Sequence, residues 1–186
     1  MATEPQTGLT YQDLLAFPED DFRRELIDGE LIVTAAPGGR HQDVVLELGS
    51  RLLAYTKLHG GKVYIAPRDL YLADDTVVGP DVPFIRPDNI NRVEERFVRG
   101  IADIVVEVSS PSTRRLELVR KRDVYQRFGG PEYWFVDLDA DRVETYRLDQ
   151  GRYGPPTILF RGNTLTSPLA PNFSLPIGEL LAPAED

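Results

Sequence analysis

Cysteine is absent from the 186 residues, and histidine occurs only twice, at His41 and His59. The first absence excludes disulfides, thiolate metal centres and a cysteine nucleophile. It also fits a reducing compartment, so a cytoplasmic location is the expectation. Two histidines are too few for a histidine-rich zinc centre. Any bound metal is therefore expected to be hard and oxygen-ligated, magnesium or manganese. Apolar runs of the roughly 18 residues that a membrane span needs are missing as well. The opening "MATEPQTGLT" has neither the basic nor the apolar region of a signal peptide. Repeats, low-complexity tracts and interdomain linkers do not occur.

What remains is 41% hydrophobic and 27% charged, the balance of a soluble globular chain. The length suits one domain with one sizeable core. The expected division is a flexible N-terminal tail over residues 1–9 and a single domain over 10–186. A net charge of −9 argues against a polyanionic partner. The distribution qualifies that: acids crowd residues 1–40, whereas residues 86–127 are base-rich, with Arg92, Arg96, Arg99, Arg114, Arg115, Arg120, Lys121 and Arg122. Such a face can hold phosphate, and an ordinary solvated surface reads equally well.

Pattern and turn chemistry give the elements. Thr10 caps a short helix, "YQDLLAF", that ends at Pro18. "RRELIDGELIV" reads as a hairpin with a two-residue Asp28-Gly29 turn, pairing Ile27 with Glu30 and Glu25 with Ile32. His41, Val45, Leu48, Leu52 and Tyr55 recur at helical spacing, and Gly60-Gly61 closes that helix. Strands are expected at "KVYIAP", "DLYLA" and "VVGPDVPFI". Residues 86–100 read as a loop with a short helical turn. "ADIVVEVSS" is the most apolar strand and is expected at the centre of its sheet. Ser110 to Thr113 offers N-caps for a helix from about Arg114 to Phe128. "EYWFVDL" and "RVETYRL" follow as strands, "RYGPPTILF" as a third, and the proline-rich remainder is expected to wrap an edge. This order gives an α/β (α+β) domain, a mixed sheet flanked by helices.

Three charged residues break these patterns. Glu107 lies in a run of valines, and an ionised carboxylate there is costly unless it is paired, hydrogen-bonded or metal-bound. A salt bridge to a nearby arginine is the plain structural account. Asp81 follows Gly79-Pro80 at the head of another apolar run, and Pro80 and Pro83 make that run an edge strand or a bent one. Alone, an aspartate there is more often a turn residue. Lys121 falls on the stripe formed by Leu118, Tyr125 and Phe128, where snorkelling to solvent competes with an inward ion pair. An aspartate, a glutamate and a lysine converging at a sheet edge suit phosphodiester hydrolysis. Two carboxylates hold a divalent cation, and an ammonium orients the nucleophile or stabilises the transition state. Glu30, His41 and Tyr125 are accessory candidates. For Glu30 a solvent-facing ribbon carboxylate is the better account, whereas a buried hydrogen-bonded histidine explains His41 about as well, and Tyr125 also reads as core with its hydroxyl at the rim.

"ELIDGEL", "RHQ", "GPDVPFI", "DIVVEVSSPST" and "RKRDVYQRFGGPEYWFVD" together resemble the Uma-two family, nuclease-like proteins related to restriction endonucleases with the PD-(D/E)XK site. The resemblance spans roughly residues 10–180 and is most specific from Asp103 to Asp137. It implies a restriction-endonuclease-like core, with Pro80-Asp81 as the "PD" and Glu107 as the "D/E". The motif's lysine would fall at 109, where this chain has Ser109. In similar relatives the lysine has moved to the next helix, and Lys121 is the matching position. The implied activity is a magnesium- or manganese-dependent endonuclease acting on DNA, with Asp81 and Glu107 as metal ligands and Asp81, Glu107 and Lys121 as catalytic residues. Two other readings stand beside it: a non-catalytic nucleic-acid-binding or scaffold protein that keeps the fold, and a small-molecule phosphodiesterase. A homodimer is expected because symmetric dimers are the commonest oligomers.

Overall fold

Asp28 and Gly29 both have positive φ, 54° and 74°, the backbone that a two-residue type I′ turn demands. They join β1 (Arg23–Ile27) to β2 (Glu30–Thr34), and Ile27 faces Glu30 while Glu25 faces Ile32, the expected register. The computed structural model describes residues 7–18, 22–109 and 116–181. Of the expected tail, residues 1–6 lie outside that set, and the Leu9 N–H donates to the Gly29 carbonyl at 3.0 Å. Helix α1 (Tyr11–Leu15) begins where Asp13 accepts hydrogen bonds from both the N–H and the hydroxyl of Thr10, each 2.8 Å. The long helix α2 (Gly39–His59) buries His41, Val45, Leu48 and Leu52 on the expected stripe and stops at Gly60, whose φ is 77°.

Where the sequence suggests a single mixed sheet, the described residues form two large sheets and a separate two-stranded one. β1, β2, β4 (Asp69–Ala73), β5 (Thr76–Val78) and β7 (Phe97–Arg99) form one sheet in the order β2-β1-β5-β4-β7. A second sheet runs β11-β10-β9-β8-β6-β3, built from β3 (Lys62–Val63), β6 (Val82–Ile85), β8 (Ile104–Val108), β9 (Glu132–Asp137), β10 (Arg142–Asp149) and β11 (Arg152–Tyr153). β12 (Thr157–Leu159) also pairs with β10. Central β8 runs parallel to β9 and antiparallel to β6, and all five of its residues are buried, as its apolar run requires.

Five expectations need correction. "VVGPDVPFI" is not one strand: Gly79-Pro80 breaks it, so that β5 enters the first sheet and β6 the second. Pro80 has no N–H to continue a ladder, and the chain uses that gap to change sheets. β6 is also not an edge, since β3 covers its free side for two residues. Within "KVYIAP" only those two residues are strand. The loop expected at 86–100 contains a 3₁₀ turn, Pro87–Arg92, but also β7, which pairs in parallel with β4. The C-terminal segment does not wrap an edge. It forms a hairpin of β13 (Thr164–Ser167) and β14 (Ala170–Pro176) followed by α4 (Ile177–Leu180). Leu165, Leu175, Ile177 and Leu181 then pack with α2 against the face of β8 that carries Ile104, Val106 and Val108.

The other face of β8 carries Val105 and Glu107. Val105 joins a second core with Ile27, Ile85, Val124, Tyr125 and Tyr133, between the two sheets and the helix α3 (Arg122–Arg127). The expected helix from Arg114 begins its described part as a π turn, Leu116–Lys121, which leads into α3. The proposed caps Ser110 to Thr113 lie outside the described residues. No helix among the described residues is long and apolar enough to cross a membrane.

Candidate active site

Strand register brings the first two carboxylates together. Val82 pairs with Val106, so Asp81, one step before β6, lies alongside Glu107 on the same face. The third residue arrives from the π turn, a widened helical turn that often marks functional positions. Lys121 is 1% exposed, and its Nζ lies 2.6 Å from Glu107 Oε1. The inward ion pair therefore holds, and snorkelling to solvent does not. Ser109, at the position where the motif lysine would fall, is buried, and its hydroxyl accepts the Leu138 N–H at 2.9 Å.

Two of the three accessory candidates join this cluster. The Tyr125 hydroxyl donates to Glu107 Oε1. His41 Nε2 lies 3.1 Å from Asp81 Oδ2. Glu30 does not join: it sits at the far end of the ribbon, accepting a 2.8 Å hydrogen bond from Arg120. The additional carboxylate is instead Glu25, whose Oε1 lies 2.8 Å from Lys121 Nζ and accepts the Gly79 N–H at 2.7 Å. Arg23, two residues before it on the same face, donates to Asp81 Oδ1 at 2.9 Å. Asp69 on β4 lies close by, next to Arg23 and Gly79. The signal for Glu25 was present in the sequence. Period two places Arg23, Glu25 and Ile27 on one face, and a face that ends in a buried isoleucine points inward.

The charges respond to this crowding. Burial opposes ionisation of Asp81, but the hydrogen bond from His41 and the charge of Arg23 outweigh it and hold the carboxyl at about 2. The Val108 N–H donates to the same carboxylate at 2.8 Å. Glu107 goes the other way. Burial pushes it up to about 7, Lys121 offsets part of the rise, and the neighbouring charges of Asp81 and Glu25 add to it. Burial and the charge of Glu25 likewise raise Asp69 to about 6. Glu25 is buried too, yet Lys121 and Arg23 draw it below the usual range. Burial pushes the Tyr125 hydroxyl well above its ordinary value, so it acts as a donor.

Four carboxylates, Glu25, Asp69, Asp81 and Glu107, thus face two fixed cations, Arg23 and Lys121. The formal excess of two negative charges matches one divalent ion. The donor atoms are hard oxygens, and Glu107 Oε2 is buried with no hydrogen-bond partner, a poor state for a carboxylate oxygen unless a cation completes it. Among the described residues no three acidic or histidine side chains already form a cage. Magnesium does not need one, since it commonly binds through one or two carboxylates and keeps waters or phosphate oxygens on its other positions. The residues fit such an ion. Asp81, His41 and Arg23 also line a groove of about 530 Å³, which reaches the cluster at its Asp81 side.

Residues 11–178 match the family model "Uma2: Putative restriction endonuclease". Among solved structures, the chain is similar to a "putative nuclease belonging to DUF820" from Anabaena variabilis ATCC 29413. The two are 20% identical, with a TM-score of 0.78 over 94% of this chain and 98% of that one. At that identity the likeness establishes the fold, a mixed α/β restriction-endonuclease-like architecture. No curated protein matches the chain.

Proposed function

The chain belongs to the Uma2 (Uma-two) family, and from that premise we propose that it hydrolyses DNA phosphodiester bonds as a magnesium- or manganese-dependent endonuclease. One observation carries the reading. Glu107 is fully buried beside Asp81, clamped on one oxygen by Lys121 and Tyr125, with its other oxygen unpartnered. Asp81 and Glu107 would hold the cation. When bound, such an ion neutralises phosphate charge and lowers the pKa of a coordinated water.

The chain's own groups do the rest. Arg23 and His41 keep Asp81 ionised and oriented. Tyr125 fixes the rotamer of Glu107, and Glu25 fixes the Lys121 ammonium. That ammonium stabilises negative charge as it builds on the phosphate and orients the attacking oxygen. Because its partners are buried, its charge acts at low dielectric, where it counts for more than in water.

A second reading, a nucleic-acid-binding protein without catalysis, draws on a different observation: both oxygens of Asp81 already accept hydrogen bonds from protein groups. Cleavage separates the two readings. With manganese or magnesium, the purified protein should nick supercoiled plasmid or cut single-stranded DNA. Glu107→Gln, which keeps the shape, and Lys121→Ala should each lower the rate by about 100-fold or more, while Glu30→Gln leaves it unchanged. Full activity in Glu107→Gln would remove the assignment.

A further inference from the structure

The groove beside Asp81 has two unlike parts. Its inner end is polar, formed by Arg23, His41 and Asp81. Its walls are apolar: Phe22, Leu46 and Ile65 line it while remaining 54%, 64% and 49% exposed. Three large apolar side chains gathered around one open cleft mark an interaction site, whereas scattered ones would not. The volume of about 530 Å³ lies in the range of small-molecule sites, roughly 300–1,000 Å³. Among the described residues, Arg23 and His41 are the basic side chains of the lining. A cleft that tracks a duplex backbone would instead be lined by many lysines and arginines, because phosphate neutralisation supplies that affinity.

We infer that this groove receives an unstacked nucleobase, so that the protein engages single-stranded or locally opened DNA. The inference rests on the nuclease reading above and names its substrate class. A nucleotide has the same division as the groove, a flat apolar ring attached to an anionic phosphate. With the ring against Phe22 and Ile65, the phosphate falls at the polar end, next to the Arg23 guanidinium. One terminal nitrogen of Arg23 donates to Asp81, and the other makes no hydrogen bond and lies 3.9 Å from Glu25 Oε1. The Gln42 side chain, also in the lining, offers an amide to a base edge. Every base presents a π face, so such a site tolerates sequence variation.

The test is equilibrium binding of the full chain in EDTA, read by fluorescence anisotropy. The probes are a labelled single-stranded deoxyoligonucleotide, an abasic oligonucleotide of the same length, and the duplex. The intact single strand should bind tightest. Phe22→Ala should weaken it by about 5- to 100-fold, the range of lost base stacking, and should leave abasic binding unchanged. Phe22 is more than half exposed, so this variant folds; Ile65→Ala, with a similar exposure, is the second probe. Equal affinity for intact and abasic strands overturns the inference. So does unchanged binding in both variants, or an effect of the variants on self-association in sedimentation velocity instead of on DNA affinity. No cleavage occurs in EDTA, so loss of base preference leaves the catalytic reading standing. Absence of cleavage in the metal assay, conversely, leaves this binding result standing.

Discussion

Glu107 and Asp81 are neighbours on one face, yet their protons behave in opposite ways, and stability should record both. Asp81 is held at about 2 against an ordinary 3.8, so it contributes stability above pH 3.8 that is lost as pH falls toward 2. Glu107 is raised to about 7 from 4.5, so its favourable contribution is complete below pH 4.5 and lost as pH rises through 7. Glu107→Gln removes the second effect without changing shape. The difference in melting temperature between this variant and the native chain should be near zero at pH 4.5. By pH 8 it should grow to on the order of 5 °C in favour of the variant. Scanning calorimetry across that range checks the sign. A deleterious Glu107→Gln at pH 8 would mean that the buried carboxylate stabilises the fold. Lys121→Ala should act in the reverse sense and cost about 3–5 kcal/mol, because it strands two buried carboxylates. Chemical denaturation measures that loss. Asp81, Glu107 and Lys121 were legible in the sequence because each breaks an apolar pattern. Glu25 was legible only through its place two residues before Ile27 on one strand face, because a charged residue in a short two-stranded ribbon otherwise satisfies the solvent-facing pattern until tertiary contacts bury it.

Single elements position the cluster through breaks in regular structure. The interruption at Gly79-Pro80 frees the Gly79 N–H for Glu25 and lets Asp81 turn toward Glu107. The sequence announced this break through its prolines, but not that the flanking strands enter different sheets. That choice is made by pairing partners remote in sequence, β1 for β5 and β8 for β6. β7 escaped notice for the same reason: three residues amid charged neighbours become a strand only because β4 offers a parallel edge. The C-terminal hairpin hid behind its prolines, although Leu165 and Leu175 are fully buried. Where α2 meets β3, Gly61 has a φ of 88°, and a Cβ there would lie 2.5 Å from the Ile85 carbonyl oxygen. Gly61→Ala should therefore destabilise the chain by about 1–3 kcal/mol. Thermal unfolding checks it, and an unchanged melting temperature would show that this junction is loose.

At the scale of the whole molecule, a body of net charge −9 carries its proposed DNA site in a mostly apolar groove. Binding should therefore depend only weakly on salt. With one or two phosphate contacts, the slope of log K against log salt for a single strand should be about −1 rather than the steep value of a basic duplex binder. Anisotropy at several salt concentrations gives that slope, and a value beyond about −4 would place many phosphates on the protein surface. The central claim, that the cluster around Glu107 takes one divalent cation, meets its most direct test in isothermal titration calorimetry with manganese. The native chain should bind one ion, with an affinity that rises about tenfold per pH unit until Glu107 has lost its proton near pH 7 and then levels off. Glu107→Gln should abolish that binding. Undiminished binding in Glu107→Gln, or none in the native chain at pH 8, would contradict the account.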